Sequence, residues 1–355
     1  MNHYRIASIP GDGIGKEITP EGIRILDFMG EVTDQYKIEW LEFPWSCDYY
    51  LEHGRMMPKN GLEILKDFDA IYFGSVGWPT VPNAISLWQL RLAICQGFEQ
   101  YANVRPAELM PGVLGPLKNP KPGDIDFVVV RENTEGEYAG VGGRSHRGLP
   151  GEVATETSVF TRSGVERVMR YAFELAKSRR KKLSCVTKSN AQRYGFVLWD
   201  EVFSAVASEH PDIKTEKVLV DAMAARFVLN PSSLDIVVAS NLHGDILTDL
   251  GGAIIGSLGM APSGNINPER TYPSMFEPIH GSAPDICGKK IANPYGMLLS
   301  GAMMLDFLGE LESAALINFA VKQATRKGVL TPDIGGILKT TEVTEAVITQ
   351  IRSYS

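Results

Sequence analysis

HYRIASIPGDGIGKEITPEGIRILDFMG, residues 3–30, reads as a strand, a glycine turn and a helix in succession. The short apolar run at 4–9 suits a buried strand, and the amphipathic stretch at 15–29 suits a helix. Between them Gly11, Gly13 and Gly15 give GxGxG. The third glycine of a dinucleotide-binding GxGxxG falls on Lys16, and no GKS or GKT follows, so neither that fingerprint nor a P-loop is present. Amides opening a helix can hold an anion, while a tight strand-to-helix turn needs the same glycines. The loop alone does not choose. The pattern it begins continues along the chain. Further strands are predicted over 37–43, 70–73, 126–130, 183–187, 217–220 and 235–239. Helices are predicted over 86–101, 163–177, 193–210, 245–258, 294–308 and 312–327. The alternation reads as α/β. Pro and Gly punctuate 105–123, which suits a crossing between lobes. The glycine-rich 136–150, followed by the alternating 152–161, suits a hairpin arm.

At 355 residues the chain is long enough for two lobes or one large α/β unit. A net charge of -7 argues against nucleic acid or an anionic membrane as the main partner. It leaves room for a small anionic substrate, because a few arginines can dominate one pocket. No run approaches the roughly 18 apolar residues of a membrane span, and the opening residues lack the apolar core of a signal peptide. A cytoplasmic location is the expectation. Cys47, Cys95, Cys185 and Cys287 show no CxxC spacing, which points to reduced thiols rather than zinc or disulfides.

SNLHGDILTDLGGAIIGSLGMAP, residues 240–262, carries the clearest chemistry. Asp245 and Asp249 stand four apart and share one helix face. No charged residue follows between Leu250 and Pro262, so two ionised carboxylates there call for a cation. Oxygen donors of this kind suit Mg²⁺ or Mn²⁺. Asp221 in LVDAMAARFV is either a further ligand or a helix cap. Arg105, read as ending a helix in YANVRP, and Arg131, ending the strand DFVVVRE, suit carboxylate recognition by a bidentate fork; structural ion pairs account for them equally well. Tyr138 is either a proton donor or a packing residue. Lys188, at the mouth of the strand before TKSN, is either a base or a solvated loop lysine.

PGDGIG, NVRP, VVRENTEGEY, TKSN, GDILTD and EPIHGSAPDICGKKIANP follow one another as in the β-decarboxylating 2-hydroxyacid dehydrogenases. The chain resembles that family from about residue 6 to 336. WSCDYYLEHGRMMP, YFGSVGWPTVP and ISLW are most similar to its tartrate/D-malate branch. The resemblance implies an isopropylmalate/isocitrate dehydrogenase-like α/β fold with two lobes, a large mixed sheet flanked by helices, and no Rossmann topology. Residues 1–103 and 256–355 would form the large, cofactor-binding lobe. Residues 104–255 would form the small lobe, with substrate, metal and dimer contacts and an arm near 136–161.

It implies a homodimer with shared active sites that oxidises a malate-like 2-hydroxy dicarboxylate with NAD and Mg²⁺ or Mn²⁺, then decarboxylates the product. Arg105 and Arg131 would hold substrate carboxylates. Asp245 and Asp249 would bind metal together with the other subunit's Asp221. Lys188, also from the other subunit, would take the hydroxyl proton, and Tyr138 would protonate the enol. Asn190 would lie near the nicotinamide. His280, Gly281, Ser282, Ala283, Asp285 and Asn293 would cradle the adenosine half, with Asp285 favouring NAD over NADP. One departure stands out. The arginine that the family places ten residues before the NVRP arginine is Cys95 here, and Arg91, one turn earlier on the same face, is the candidate replacement. Isopropylmalate, isocitrate or a substituted malate are the alternative substrates, and a non-catalytic regulatory subunit is the alternative of a different class.

Overall fold

Ala70 and Tyr72 point into one apolar core while Ile71 and Phe73 point into another, so the strand that carries them is buried on both faces. Such a strand needs helices above and below it. The computed structural model, which describes all residues except Asn119, Pro122, Tyr354 and Ser355, has this architecture. Two positions of the expected crossing at 105–123 thus lie outside the described residues.

The strands are β1 (Asn2–Gly11), β2 (Tyr36–Glu42), β3 (Ala70–Ser75), β4 (Ala102–Glu108), β5 (Asp126–Glu132), β6 (Gly136–Ser145), β7 (Val153–Val159), β8 (Lys182–Thr187), β9 (Lys214–Leu219), β10 (Ile236–Ala239), β11 (Pro262–Ile266) and β12 (Ser274–Pro278). Ten of them form one mixed sheet in the order β2-β1-β3-β12-β11-β4-β5-β10-β8-β9, and β6 and β7 form a separate antiparallel hairpin. The predicted arm is therefore present. Pairing is parallel at both wings and antiparallel from β12 through β11 and β4 to β5. The two wings thus run in opposite directions, and neither their order nor their direction is that of a Rossmann sheet.

The helices are α1 (Gly15–Thr33), α2 (Cys47–His53), α3 (Gly61–Leu65), α4 (Asn83–Ser86), α5 (Leu92–Gly97), α6 (Arg162–Lys177), α7 (Gly195–Ser208), α8 (Val220–Leu229), α9 (Asn241–Ile254), α10 (Tyr295–Leu308), α11 (Leu311–Arg326) and α12 (Thr340–Arg352). A π-helical turn, Leu87–Arg91, joins α4 to α5. Helices α1, α10, α11 and α12 pack together on one side of the first wing. Among the described residues no helix is long and apolar enough to cross a membrane. All four cysteines are free thiols.

Three departures from the sequence reading have physical causes. Arg105 does not end a helix: the helix stops at Gly97, and Arg105 lies inside β4. Strands β11 and β12 are buried at every position, so they lack the alternation that announces a half-exposed strand. Helix α9 begins at Asn241 rather than Asp245, placing Asp245 in the second turn instead of at its head.

The opening glycine loop is the tight turn. Asp12, Ile14 and Gly15 amides already donate to the carbonyls of Ser75, Ser282 and Asp12. Gly13, at φ +55, has no room for a side chain, since a Cβ would stand 2.0 Å from the Ser282 carbonyl oxygen. The loop serves to bring the segment around Ser282 against the start of α1.

Candidate active site

A cavity of about 170 Å³ opens beside the junction of the two wings, with Arg91, Arg105, Arg131, Tyr138, Asp245 and Glu277 in its wall. The ten-stranded sheet supplies three of them. Arg105 comes from β4, Arg131 from β5 and Glu277 from β12, while α9 supplies Asp245.

Arg131 is almost fully buried. Its Nε and Nη2 donate to Asn241 Oδ1 at 3.0 and 2.6 Å, and its Nη1 pairs with Asp245 Oδ1. Arg105 donates from Nε to Asn103 Oδ1 (2.6 Å) and from Nη1 to Thr248 Oγ1 (2.6 Å), and lies 3.4 Å from the same Asp245 oxygen. Tyr138 donates its hydroxyl to Asp245 Oδ2 at 3.0 Å, and the Arg131 guanidinium lies 5.3 Å from the centre of its ring. Burial alone would raise the Asp245 carboxyl, but Arg131 and Arg105 hold it below the usual carboxylate range. Asp249, one turn on, is pushed up by burial and by Asp245. Burial, and then Arg131, presses the Arg105 guanidinium down. The cations that the lone helix lacked are therefore supplied to Asp245 by two strands.

Glu137 holds the acidic helix in place. Its carboxylate accepts from Ser240 Oγ at 3.0 Å and from the Leu242 amide at 3.1 Å, capping the first turn of α9 from the strand that carries Tyr138. Sequence reasoning passed over Glu137, Asn241 and Glu277, although each sits in or beside a motif already quoted. An acid directly before a candidate tyrosine offers no signal until the helix it caps is known.

Lys188 and Asp221 are brought together, but not here. They pair with each other on the surface, both outside the wall of the cavity. Among the described residues no three His, Cys, Asp or Glu side chains form a metal-binding group. Asn190 is exposed and borders a separate open hollow with Ser189 and Asp200. On the other side of the main cavity lie His280 and Gly281. His280 Nε2 is buried without a hydrogen-bond partner, and burial lowers the imidazole's pKa. Asp285 is exposed, and Ser282 is fixed against the glycine loop through its carbonyl. Asn293 caps α10 through the Tyr295 amide and donates to Asp333.

Arg91 does line the cavity, and it has an acid partner that the helix itself could not offer. Its Nε and Nη2 lie 2.8 and 2.7 Å from Glu277 Oε1. Burial would lower this guanidinium's pKa, but the charge of Glu277 outweighs that and raises it. Cys95 stays buried beside it, and burial pushes its thiol up to about 11.

A mixed ten-stranded sheet with a cationic cavity at its junction is the isocitrate dehydrogenase-like fold. The solved isocitrate dehydrogenase of Methylococcus capsulatus matches it with a TM-score of 0.88 at 34% identity, over 98% of this chain and 99% of that one. Residues 5–347 match the family described as isocitrate/isopropylmalate dehydrogenase, and the chain belongs to it. A probable tartrate dehydrogenase/decarboxylase of Agrobacterium vitis is 57% identical over 352 residues, 99% of this chain and 98% of the relative. The D-malate dehydrogenase [decarboxylating] of Escherichia coli K12 is 52% identical over 355 residues, 98% of each chain. The expected fold class and family are thus both borne out.

Proposed function

We propose that this chain is an NAD- and Mg²⁺- or Mn²⁺-dependent dehydrogenase that oxidises a malate-like 2-hydroxy dicarboxylate of the tartrate/D-malate class and decarboxylates the keto acid. The observation that carries the reading is the imbalance at one end of the cavity. Two buried guanidinium groups, Arg105 and Arg131, share a single carboxylate, Asp245. Buried cations need anions, and a dicarboxylate offers planar ones that fit the fork of arginine. Fixing those carboxylates aims the C2–H at the cofactor. The names of the relatives support the substrate class.

Asp245 and Asp249 present hard oxygen donors one turn apart and fit Mg²⁺ or Mn²⁺, with Asp221 of the partner subunit as the third ligand. Bound there, the ion would polarise the C2 oxygen and stabilise the enolate as a Lewis acid. Lys188 of the partner subunit takes the C2 hydroxyl proton at Nζ. Tyr138, its hydroxyl already directed at Asp245, delivers a proton to C3 after carbon dioxide leaves. The orphaned His280 Nε2 and the open space at Gly281 suit a nucleotide. The exposed Asp285 can accept from a ribose hydroxyl and repels a 2′-phosphate. Ser282, Ala283 and Asn293 frame the same side, and Asn190 serves the nicotinamide end. Exposed apolar side chains on α8 and α9, Leu229 and Ile246 above all, support a homodimer that brings Lys188 and Asp221 to the other subunit's cavity.

The test is a kinetic panel with the purified chain, NAD and Mn²⁺, using D-malate, tartrate, isocitrate and 3-isopropylmalate. NADH formation with release of carbon dioxide is expected, fastest on a four-carbon acid. Absence of turnover on the whole panel overturns the reading.

A further inference from the structure

Arg105 and Asp245 carry opposite charges beside one cavity, yet they do not close into a tight pair. Arg105 Nη1 stays 3.4 Å from Asp245 Oδ1, longer than an ordinary N–H···O bond, whereas Arg131 meets the same oxygen directly. A guanidinium and a carboxylate left to themselves settle into a bidentate fork. Two uncharged side chains stand in the way. Asn103, two residues back along β4, accepts from Arg105 Nε on its Oδ1 at 2.6 Å. Thr248 of α9 accepts from Nη1 on its hydroxyl oxygen at 2.6 Å.

Neither acceptor can turn away. The Asn103 Nδ2 group faces Ser263 Oγ at 2.7 Å, Asn265 Oδ1 at 3.0 Å and the Gly264 carbonyl at 3.2 Å. Only its oxygen is left for Arg105. The Thr248 hydroxyl has a single proton, directed at the carbonyls of Gly244 (2.8 Å) and Asp245 (3.0 Å), so towards Arg105 it is an acceptor. Asn103 has no exposed surface and Thr248 is almost fully buried. Arg105 itself lines the cavity, and among the described residues its Nη2 has no hydrogen-bond partner.

We infer that Asn103 and Thr248 are positioning residues that hold Arg105 off Asp245, so that the guanidinium serves the substrate and the carboxylate serves the metal. The inference rests on the dehydrogenase reading above. A substrate carboxylate needs guanidinium N–H groups that no protein anion already engages. A divalent cation needs a carboxylate that is not quenched by two arginines at contact distance. The brace meets both needs with groups that add no charge of their own.

Mn²⁺ affinity is read by direct titration of the purified chain, and substrate use by kinetics on the best four-carbon acid. Thr248→Val removes the hydroxyl with little change of shape and lets Arg105 close on Asp245. Mn²⁺ binding should weaken about 10-fold and the substrate KM should rise by a similar factor, the scale of one charged hydrogen bond, while the Kd for NAD holds. Thr248→Ser keeps the hydroxyl and should restore both. Asn103→Leu should act in the same direction as Thr248→Val; thermal melting reports whether it folds, and the Thr248 variants carry the test if it does not. A double-mutant cycle separates positioning from packing. In an Arg105→Gln background Thr248→Val has no guanidinium to release, so Mn²⁺ affinity should fall no further. An equal fall with and without Arg105, or a loss that Thr248→Ser shares, overturns the inference. So does a Thr248→Val chain that binds Mn²⁺ and substrate as the parent does. Each of these results leaves the dehydrogenase reading intact while the parent turns over a hydroxy acid. A parent that turns over none, or binds no Mn²⁺, overturns both.

Discussion

Arg131 is one of the largest fully buried side chains in the protein, and a guanidinium so placed must have its partners built in. It donates two hydrogen bonds to the Asn241 side-chain oxygen and leaves one edge for Asp245, which therefore serves two cations and the Tyr138 hydroxyl at once. Under the proposed chemistry that carboxylate also meets the metal. Asp245→Asn should lower kcat/KM by ~100-fold or more even at saturating Mn²⁺, as expected for losing a main charge-stabilising group. Activity should likewise vanish with chelator and return with Mn²⁺ or Mg²⁺. Full turnover in excess EDTA would remove the metal from the mechanism. Lys188 has the opposite setting, a partly exposed amine paired with the exposed Asp221. Surface pairs of this kind contribute little to stability. Lys188→Met should therefore abolish oxidation and leave the melting temperature almost unchanged. Near-normal turnover in that variant would show the base to be elsewhere.

At the scale of elements, the site depends on how a strand and a loop grip their neighbours. Glu137, projecting from β6, caps α9, and that contact sets the acidic helix against Tyr138. Glu137→Ala should lower stability by about 1–2 kcal/mol, the usual loss for a helix cap. It should weaken Mn²⁺ binding more than NAD binding, measured by titration of each. Equal losses for both ligands would mean general loosening rather than a displaced helix. The glycine loop acts at the other side of the cavity. Gly13→Ala places a methyl group 2.0 Å from the Ser282 carbonyl oxygen at a backbone position of φ +55. The loop at 280–285 must shift, so the KM for NAD should rise while Mn²⁺ affinity holds. Unchanged KM for NAD would detach this loop from the cofactor.

At the scale of the whole molecule, one sheet built from two opposed wings places its cavity where the strand direction changes. The single chain leaves Leu229 and Ile246 exposed by 82% and 59% of their surface, and the Lys188–Asp221 pair lies outside the cavity that the proposed reaction needs it in. The proposed second copy would resolve both facts. Ile246→Glu should yield monomers in sedimentation with loss of turnover. An active monomer would overturn the shared site. With Asp285 against the ribose as proposed, a 2′-phosphate would be repelled and NAD should exceed NADP in kcat/KM; equal use of the two would overturn that assignment.

The sequence by itself determined what depends on near neighbours and on motif order. The α/β alternation, the hairpin arm, the non-Rossmann glycine turn and the family were all readable in it. Arg105, Arg131, Tyr138 and Asp245 were chosen from it and stand together around one cavity. It misread β4 as a helix end and passed over β11 and β12, because strands buried on both faces carry no period of two. Tertiary structure alone decided the partners of charge. Arg91 finds Glu277 186 residues away, and Asp245 finds Arg131 114 residues away. Nothing local encodes either pairing. A buried charge takes its partner from whatever the sheet order sets beside it, and that order is fixed only when distant strands pair.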